Sequence, residues 1–225
     1  MKRILPIISL VLIWPMLAGA ATFGGGATIG TATIGATNAA AAASGYSGTL
    51  AGLTNGGTFT IGDKTFSGFS YTASGLTSFD PTAITVTATE SGGIDYLTWT
   101  GNISLVSGGF ASASLTLSYT VTANPSSISM IDQRYTGSVT SGSVMINETV
   151  TSAGAPTAHS QLTVSDVSDP NTYPSGPFDA GEDDLLSIAP AQSTLYVTKS
   201  ISFVVIGGSI TIDQVEQSFH QVSPP

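Results

Sequence analysis

Apolar and polar residues alternate along most of the chain with a period of two, the spacing of strands with one face in a core and one in water. The clearest case is Leu115-Thr116-Leu117-Ser118-Tyr119-Thr120-Val121, with four apolar residues on one side and hydroxyls on the other. Asn124-Pro125 ends that run. Upstream, Thr58-Phe59-Thr60-Ile61 leads into Gly62-Asp63, and Lys64 to Tyr71 returns with Phe66, Phe69 and Tyr71 as its bulky residues, predicting a hairpin. Ile84 to Ala88, the turn Ser91-Gly92-Gly93 and Ile94 to Thr100 predict a second. Ile128 to Ile131, Tyr135 to Thr140, Ser143 to Val150 and Leu162 to Val164 continue the series, with Gly137 and Gly142 read as bends or turns. Leu195 to Val205 and Ser209 to Phe219 read as a final pair across Ile206-Gly207-Gly208. Beyond the leader, no window of eleven residues shows convincing apolar spacing at i, i+3, i+4 and i+7, so little helix is expected.

About ten strands with short turns predict an all-β domain, a two-sheet antiparallel β-sandwich of the jelly-roll or immunoglobulin-like kind. Its core is expected to hold Trp99, Phe66, Phe69, Tyr119, Leu117, Val197 and Phe203.

Four segments organise the 225 residues. Residues 1–20 read as a signal peptide: Met1-Lys2-Arg3 is a basic start, Ile4 to Leu17 is mostly apolar, and Ala18-Gly19-Ala20 fits cleavage after Ala20. The apolar run is shorter than the ~20 residues of a spanning helix. Residues 21–57 are a Gly/Ala/Thr-rich leader in which Ala27-Thr28-Ile29-Gly30 is echoed by Ala32-Thr33-Ile34-Gly35. Such a composition buries little apolar surface, which suits a flexible leader, while its small and β-branched residues also suit a detachable strand. Residues 58–221 form the β-sandwich and 222–225 a short tail.

Composition narrows the function classes. Charged residues are only 8% of the chain and the net charge is −9; without Lys2 and Arg3 the chain keeps 14 acids against 3 bases. Charge-driven binding to nucleic acid or an anionic membrane is therefore not expected. The absence of cysteine excludes disulfides, thiol catalysis and cysteine-ligated metals. The only histidines, His159 and His220, stand in no recognisable catalytic arrangement, and no Gly-x-Ser-x-Gly elbow is present. There is no His-Glu-x-x-His zinc pattern, and Gly24-Gly25-Gly26 opens no helix and precedes no lysine, as a phosphate loop requires. The chain is read as non-enzymatic and without a required cofactor.

One polar cluster remains. Asp166, Asp169 and Asn171, followed by Asp179, Glu182, Asp183 and Asp184, place seven oxygen-bearing side chains in a stretch rich in Pro and Gly. Calcium takes six to eight hard oxygen ligands, often from such loops, although the spacing is not that of an EF-hand. A solvated acidic loop is the alternative reading. Asn102-Ile103-Ser104 and Asn147-Glu148-Thr149 match the glycosylation acceptor pattern, which so much Ser and Thr produces by chance.

Several stretches also resemble a known family. Ile61-Gly62-Asp63-Lys64-Thr65-Phe66-Ser67-Gly68-Phe69-Ser70-Tyr71 is similar to an early hairpin of secreted PEP-CTERM proteins, which exosortases process. Leu195-Tyr196-Val197-Thr198-Lys199-Ser200-Ile201, Gly207-Gly208 and Val215-Glu216-Gln217-Ser218-Phe219 resemble the stretch before their sorting tail, and Glu148-Thr149-Val150 resembles a third family stretch. The likeness runs from about Thr58 to Gln221 and departs at the end: the family tail carries Pro-Glu-Pro, an apolar helix and a basic terminus, whereas this chain stops at Ser223-Pro224-Pro225. The resemblance implies a sandwich exported to the cell surface or an exopolysaccharide matrix. Its expected partners are extracellular polysaccharide, other surface proteins or further copies of itself, with no nucleic acid and no membrane after signal cleavage. Two rival readings are a fibre or pilus-like subunit donating the strand Ala21 to Ala36, and a carbohydrate- or calcium-binding module.

Overall fold

The computed structural model describes residues 45–153, 155–165, 176–180 and 185–222. The chain divides into two units, 1–39 and 40–225, and every described residue lies in the second. In order, the elements are β1 (Gly45–Thr49), α1 (Leu50–Thr54), β2 (Phe59–Ile61), β3 (Lys64–Ser74), β4 (Thr85–Ser91), β5 (Ile94–Val106), β6 (Phe110–Ala123), β7 (Ser127–Ser152), β8 (Ala155–Ser165), β9 (Gly176–Ala180), β10 (Leu185–Gln192) and β11 (Thr194–Val222). The expected all-β antiparallel sandwich is what the chain forms.

Its organising feature is a ribbon of two long strands. β7 and β11 run antiparallel from Tyr196 opposite Thr151 to Val222 opposite Ser127, with the register shifting between Val205 and Ser209. The pair read from the sequence across Ile206-Gly207-Gly208 is thus one bent strand. Its halves do not pair with each other; both pair with β7, which bends at the same level around Ser141 and Gly142. Ser141 sits at φ 52°, and its hydroxyl donates to the Ile206 carbonyl at 2.7 Å. The β5–β6 connection turns beside this bend, held by Ser107 N–H to Gly208 O at 3.0 Å and Gly207 N–H to Gly109 O at 2.9 Å.

The bend folds one continuous sheet over itself into two layers. In the first lie β2, β3, β6, the leading half of β11, the trailing half of β7, and β8. In the second lie β1, β4, β5, the trailing half of β11, the leading half of β7, β9 and β10. Rings meet between the layers: Trp99 on β5 packs on Tyr119 of β6 at 5.4 Å, and Phe66 on β3 meets Phe219 of β11 edge-on at 5.3 Å. Each fully buried Phe contributes roughly 1.5–3 kcal/mol relative to exposure. All seven side chains expected in the core are buried there.

The sandwich begins earlier than the sequence boundary at 57 suggests. β1 pairs with β4 from Gly45 opposite Thr89, and α1, capped by the Thr49 hydroxyl accepting from Gly52 N–H at 3.1 Å, buries Leu50 and Leu53. A short polar strand beside a five-residue helix carries too little alternation to read locally. The segment Ala21 to Ala36 lies outside the described residues.

Candidate functional site: a hydroxyl face and an acidic cleft

The sandwich core contains two lysines. The phase of the strands puts them there: Lys199 lies between Val197 and Ile201, and Lys64 shares the inward phase of Phe66. Both are fully buried, and each ties one layer to the other. Lys199, in the first layer, is ion-paired to Glu148 directly across the ribbon and donates to Gln133 Oε1 of the second layer at 3.0 Å. Gln133 in turn donates to the Ser160 hydroxyl at 2.8 Å. The nearby Tyr119 hydroxyl is held well above its usual range, by burial first and then by the Glu148 charge.

Lys64 is buried behind a cleft, bonded to three of the residues that line it. The cleft holds about 260 Å³ and is lined by Gly62, Asp63, Glu90, Asp95, Pro125, Ser126 and Gln221. The β2–β3 turn presents Asp63, and the β4–β5 hairpin presents Glu90 and Asp95, which stand opposite each other in register. Lys64 Nζ donates to Asp63 Oδ1 at 2.8 Å, to Asp95 Oδ2 at 2.6 Å and to Gln221 Oε1. Ser126 donates to Asp63 Oδ2, and Gln221 Oε1 lies 3.0 Å from the same hydroxyl.

The two aspartates titrate in opposite directions. For Asp63, burial pushes upward, but the hydrogen bonds from Lys64 and Ser126 and the Lys64 charge outweigh it and hold the carboxyl below 3.8. For Asp95, burial dominates over Lys64, and Asp63 and Glu90 add repulsion, so its carboxyl is raised above 3.8. Carboxylate ¹³C NMR titration is expected to show Asp63 ionising first and Asp95 later. Linkage then gives the signs. Asp63 contributes stability that is present above 3.8 and lost as pH falls through its lowered value; Asp95 ionisation weakens the fold as pH rises from 3.8 through its raised value.

The outer face of the first layer is built differently. Every outward position of β6 from Ser112 to Thr122 is Ser or Thr, and the register extends them into ranks. Thr60, Thr65, Thr122 and Thr194 form one rank; Ser67, Thr120, Tyr196 and Thr151 form the next. Ser70, Ser118, Thr198 and Thr149 form a third, which ends at His159. Neighbouring hydroxyls touch, Ser118 to Thr198 at 3.2 Å and Thr122 to Thr194 at 3.3 Å. Within a rank the strands are about 4.8 Å apart, and successive ranks are about 7 Å apart along a strand. Among the described residues this face carries no Asp, Glu, Lys or Arg, and Tyr196, 52% exposed, stands in its middle.

Of the acidic stretch read as a calcium candidate, Asp166, Asp169, Asn171, Glu182, Asp183 and Asp184 lie outside the described residues. Asp179 falls on β9, opposite Thr136. His159 is exposed and within 3.2 Å of the Thr149 hydroxyl, and His220 contacts Ser218 at 3.0 Å, so the two histidines stand on different strands with different partners. Asn147 of the second acceptor pattern is outward on β7, with its Glu148 buried. Sequence reasoning missed the cleft. The available signal was phase: Asp95 alternates with Leu97 and Trp99, as an inward residue does.

No family model and no curated protein matches the chain. Among solved structures it is similar to TmCBM61 in complex with β-1,4-galactotriose, at 15% identity and a TM-score of 0.32, over 65% of this chain and 86% of that one. It is also similar to a carbohydrate-binding module of the β-sandwich superfamily described for promiscuous specificity, at 10% identity and 0.33, over 69% of this chain and 57% of the other. A third likeness, to the enzymatically active domain of bacteriophage CBA120 tailspike protein 4, has 11% identity and 0.27, and spans 68% of this chain but 19% of that one. These are distant likenesses of overall fold.

Proposed function

We propose that this is a secreted, non-enzymatic protein of the cell surface or extracellular matrix, whose sandwich holds neutral polysaccharide across the outer face of its first layer. The observation that carries this reading is the composition of that face: ranked hydroxyls around one exposed tyrosine, without a formal charge, on a chain of net charge −9. Hydroxyls both donate and accept, so ranks of them match a ligand that is itself a repeating array of hydroxyls. A tyrosine ring offers a flat apolar surface for the C–H face of a sugar at small entropic cost. The charges that would select an ionic ligand lie elsewhere: Glu216 and Arg134 stand opposite each other in the second layer. The amino-terminal signal pattern supports export.

Affinity electrophoresis of the purified sandwich through gels containing soluble neutral glucans and galactans tests this. Retardation is expected with at least one of them, unchanged between low and high salt because no ion pair is involved. Tyr196→Ala is expected to weaken it roughly tenfold, the loss typical of an exposed aromatic anchor. Migration indifferent to every glycan, or retardation unaffected by Tyr196→Ala, rules the reading out.

A further inference from the structure

We propose that the cleft between the β2–β3 turn and the β4–β5 hairpin binds the primary ammonium of an amino-sugar unit. This is a second site, independent of the hydroxyl face and opposite to it in charge preference. The first ground is an unanswered carboxylate oxygen. Asp95 is 2% exposed, and its Oδ1 makes no hydrogen bond within the described structure, although its Oδ2 is bonded to Lys64. Lys64 has no proton left for it, because its three are directed at Asp63, Asp95 and Gln221. This buried oxygen lies just behind Gly62, which lines the cleft: a Cβ added there would lie 3.1 Å from Asp95 Oδ1 and 3.4 Å from Glu90 Oε2. Two acceptors from the same hairpin therefore converge on one point of the cleft wall.

Charge says what fits there. Asp63, Glu90 and Asp95 face a single ammonium, that of Lys64, so the cleft carries an excess of negative charge. A divalent metal is a poor answer: among the described residues no three acidic or histidine side chains are grouped to hold one. A ligand ammonium brings one charge and three directed protons, which suits Asp95 Oδ1 and Glu90 without displacing Lys64. Size and rim distinguish an amino sugar from a lysine side chain. At about 260 Å³ the cleft is far larger than an ammonium group, and the Ser126 hydroxyl and the Gln221 amide on its wall suit the hydroxyls of a sugar ring.

Isothermal titration of the purified sandwich with a glucosamine tetrasaccharide, its N-acetylated counterpart, a short lysine peptide and calcium chloride tests this. The free-amine sugar is expected to bind at least tenfold more tightly than the acetylated one, and to weaken as salt is raised. Asp95→Asn is expected to reduce that affinity tenfold or more. Glu90→Gln changes an exposed residue, so the fold is kept should Asp95→Asn unfold; it is expected to reduce affinity several-fold. Neutral glycan retardation on the hydroxyl face should survive both substitutions, which separates failure here from failure of that reading. Equal affinity for acetylated and free-amine sugars, no heat with either, no effect of the substitutions, a lysine peptide binding as tightly as the sugar, or calcium binding in its place would each overturn the proposal.

Discussion

Lys199→Met is expected to destabilise the sandwich by about 3–5 kcal/mol, the loss typical of removing one partner from a buried ion pair. The substitution keeps side-chain volume but leaves Glu148, which is 1% exposed, as an uncompensated charge between the layers. Its position makes this worse. Glu148 Oε2 is bonded to Lys199, and Oε1 makes no hydrogen bond within the described structure. Gln133, the acceptor from Lys199 in the opposite layer, loses its link as well. For a domain of this size the loss corresponds to a melting decrease of roughly 6–20 °C. Urea unfolding checks it: the midpoint should fall with little change in slope. Replacing both partners, Lys199→Met with Glu148→Leu, is expected to recover most of the loss, because burying the charges offsets much of their attraction. A single variant as stable as the parent would show that the pair is not closed off from water.

Gly208→Ala is expected to cost about 3 kcal/mol or more, at the upper end of what an overpacked position loses. A Cβ there would lie 1.9 Å from the Thr140 carbonyl oxygen and 2.9 Å from the Ser141 Cβ. Both belong to the partner strand at the bend, so relief requires moving the β7–β11 ribbon where it changes layers. Gly108, in the β5–β6 turn beside the bend, is the control: nothing lies within 4 Å of its added Cβ, and its φ is not in the left-handed region. Gly108→Ala is expected to stay within about 0.5 kcal/mol of the parent. Thermal unfolding of the two variants side by side measures the difference. Equal melting temperatures would mean that the bend is free to relax, and that close approach of the two strands does not set the sandwich geometry.

The same bend places both the hydroxyl face and the cleft. It brings the β4–β5 hairpin and the β2–β3 turn to one end, where Asp63, Glu90 and Asp95 gather around Lys64. It also sets the leading half of β11 between β6 and β7, which carries the hydroxyls from strand to strand in rank. Of the three basic residues after Arg3, two lie inside the protein joining the layers. The outer hydroxyl face accordingly has no cation to contribute, and the cleft has one that is already engaged.

Alternation by itself determined that the chain is all-β, that Phe66, Leu117, Tyr119 and Phe203 point inward, and that Ser and Thr point outward. That information is local, because successive side chains of a strand take opposite faces whatever the strand pairs with. The buried charges were half legible: Lys199 between Val197 and Ile201, and Glu148 between Ile146 and Val150, occupy the inward phase of their strands. Phase cannot say that these two meet. Their contact follows from the register of β7 against β11, residues 51 positions apart in the chain. The Gly207-Gly208 stretch was misread for the same reason. A glycine pair marks a change of direction, but whether a strand reverses on itself or bends while keeping its neighbour is decided by long-range pairing. The cleft and the ranked hydroxyls are likewise products of strand order. Only the tertiary structure decides them, because hydrogen-bonded register fixes which distant residues stand side by side.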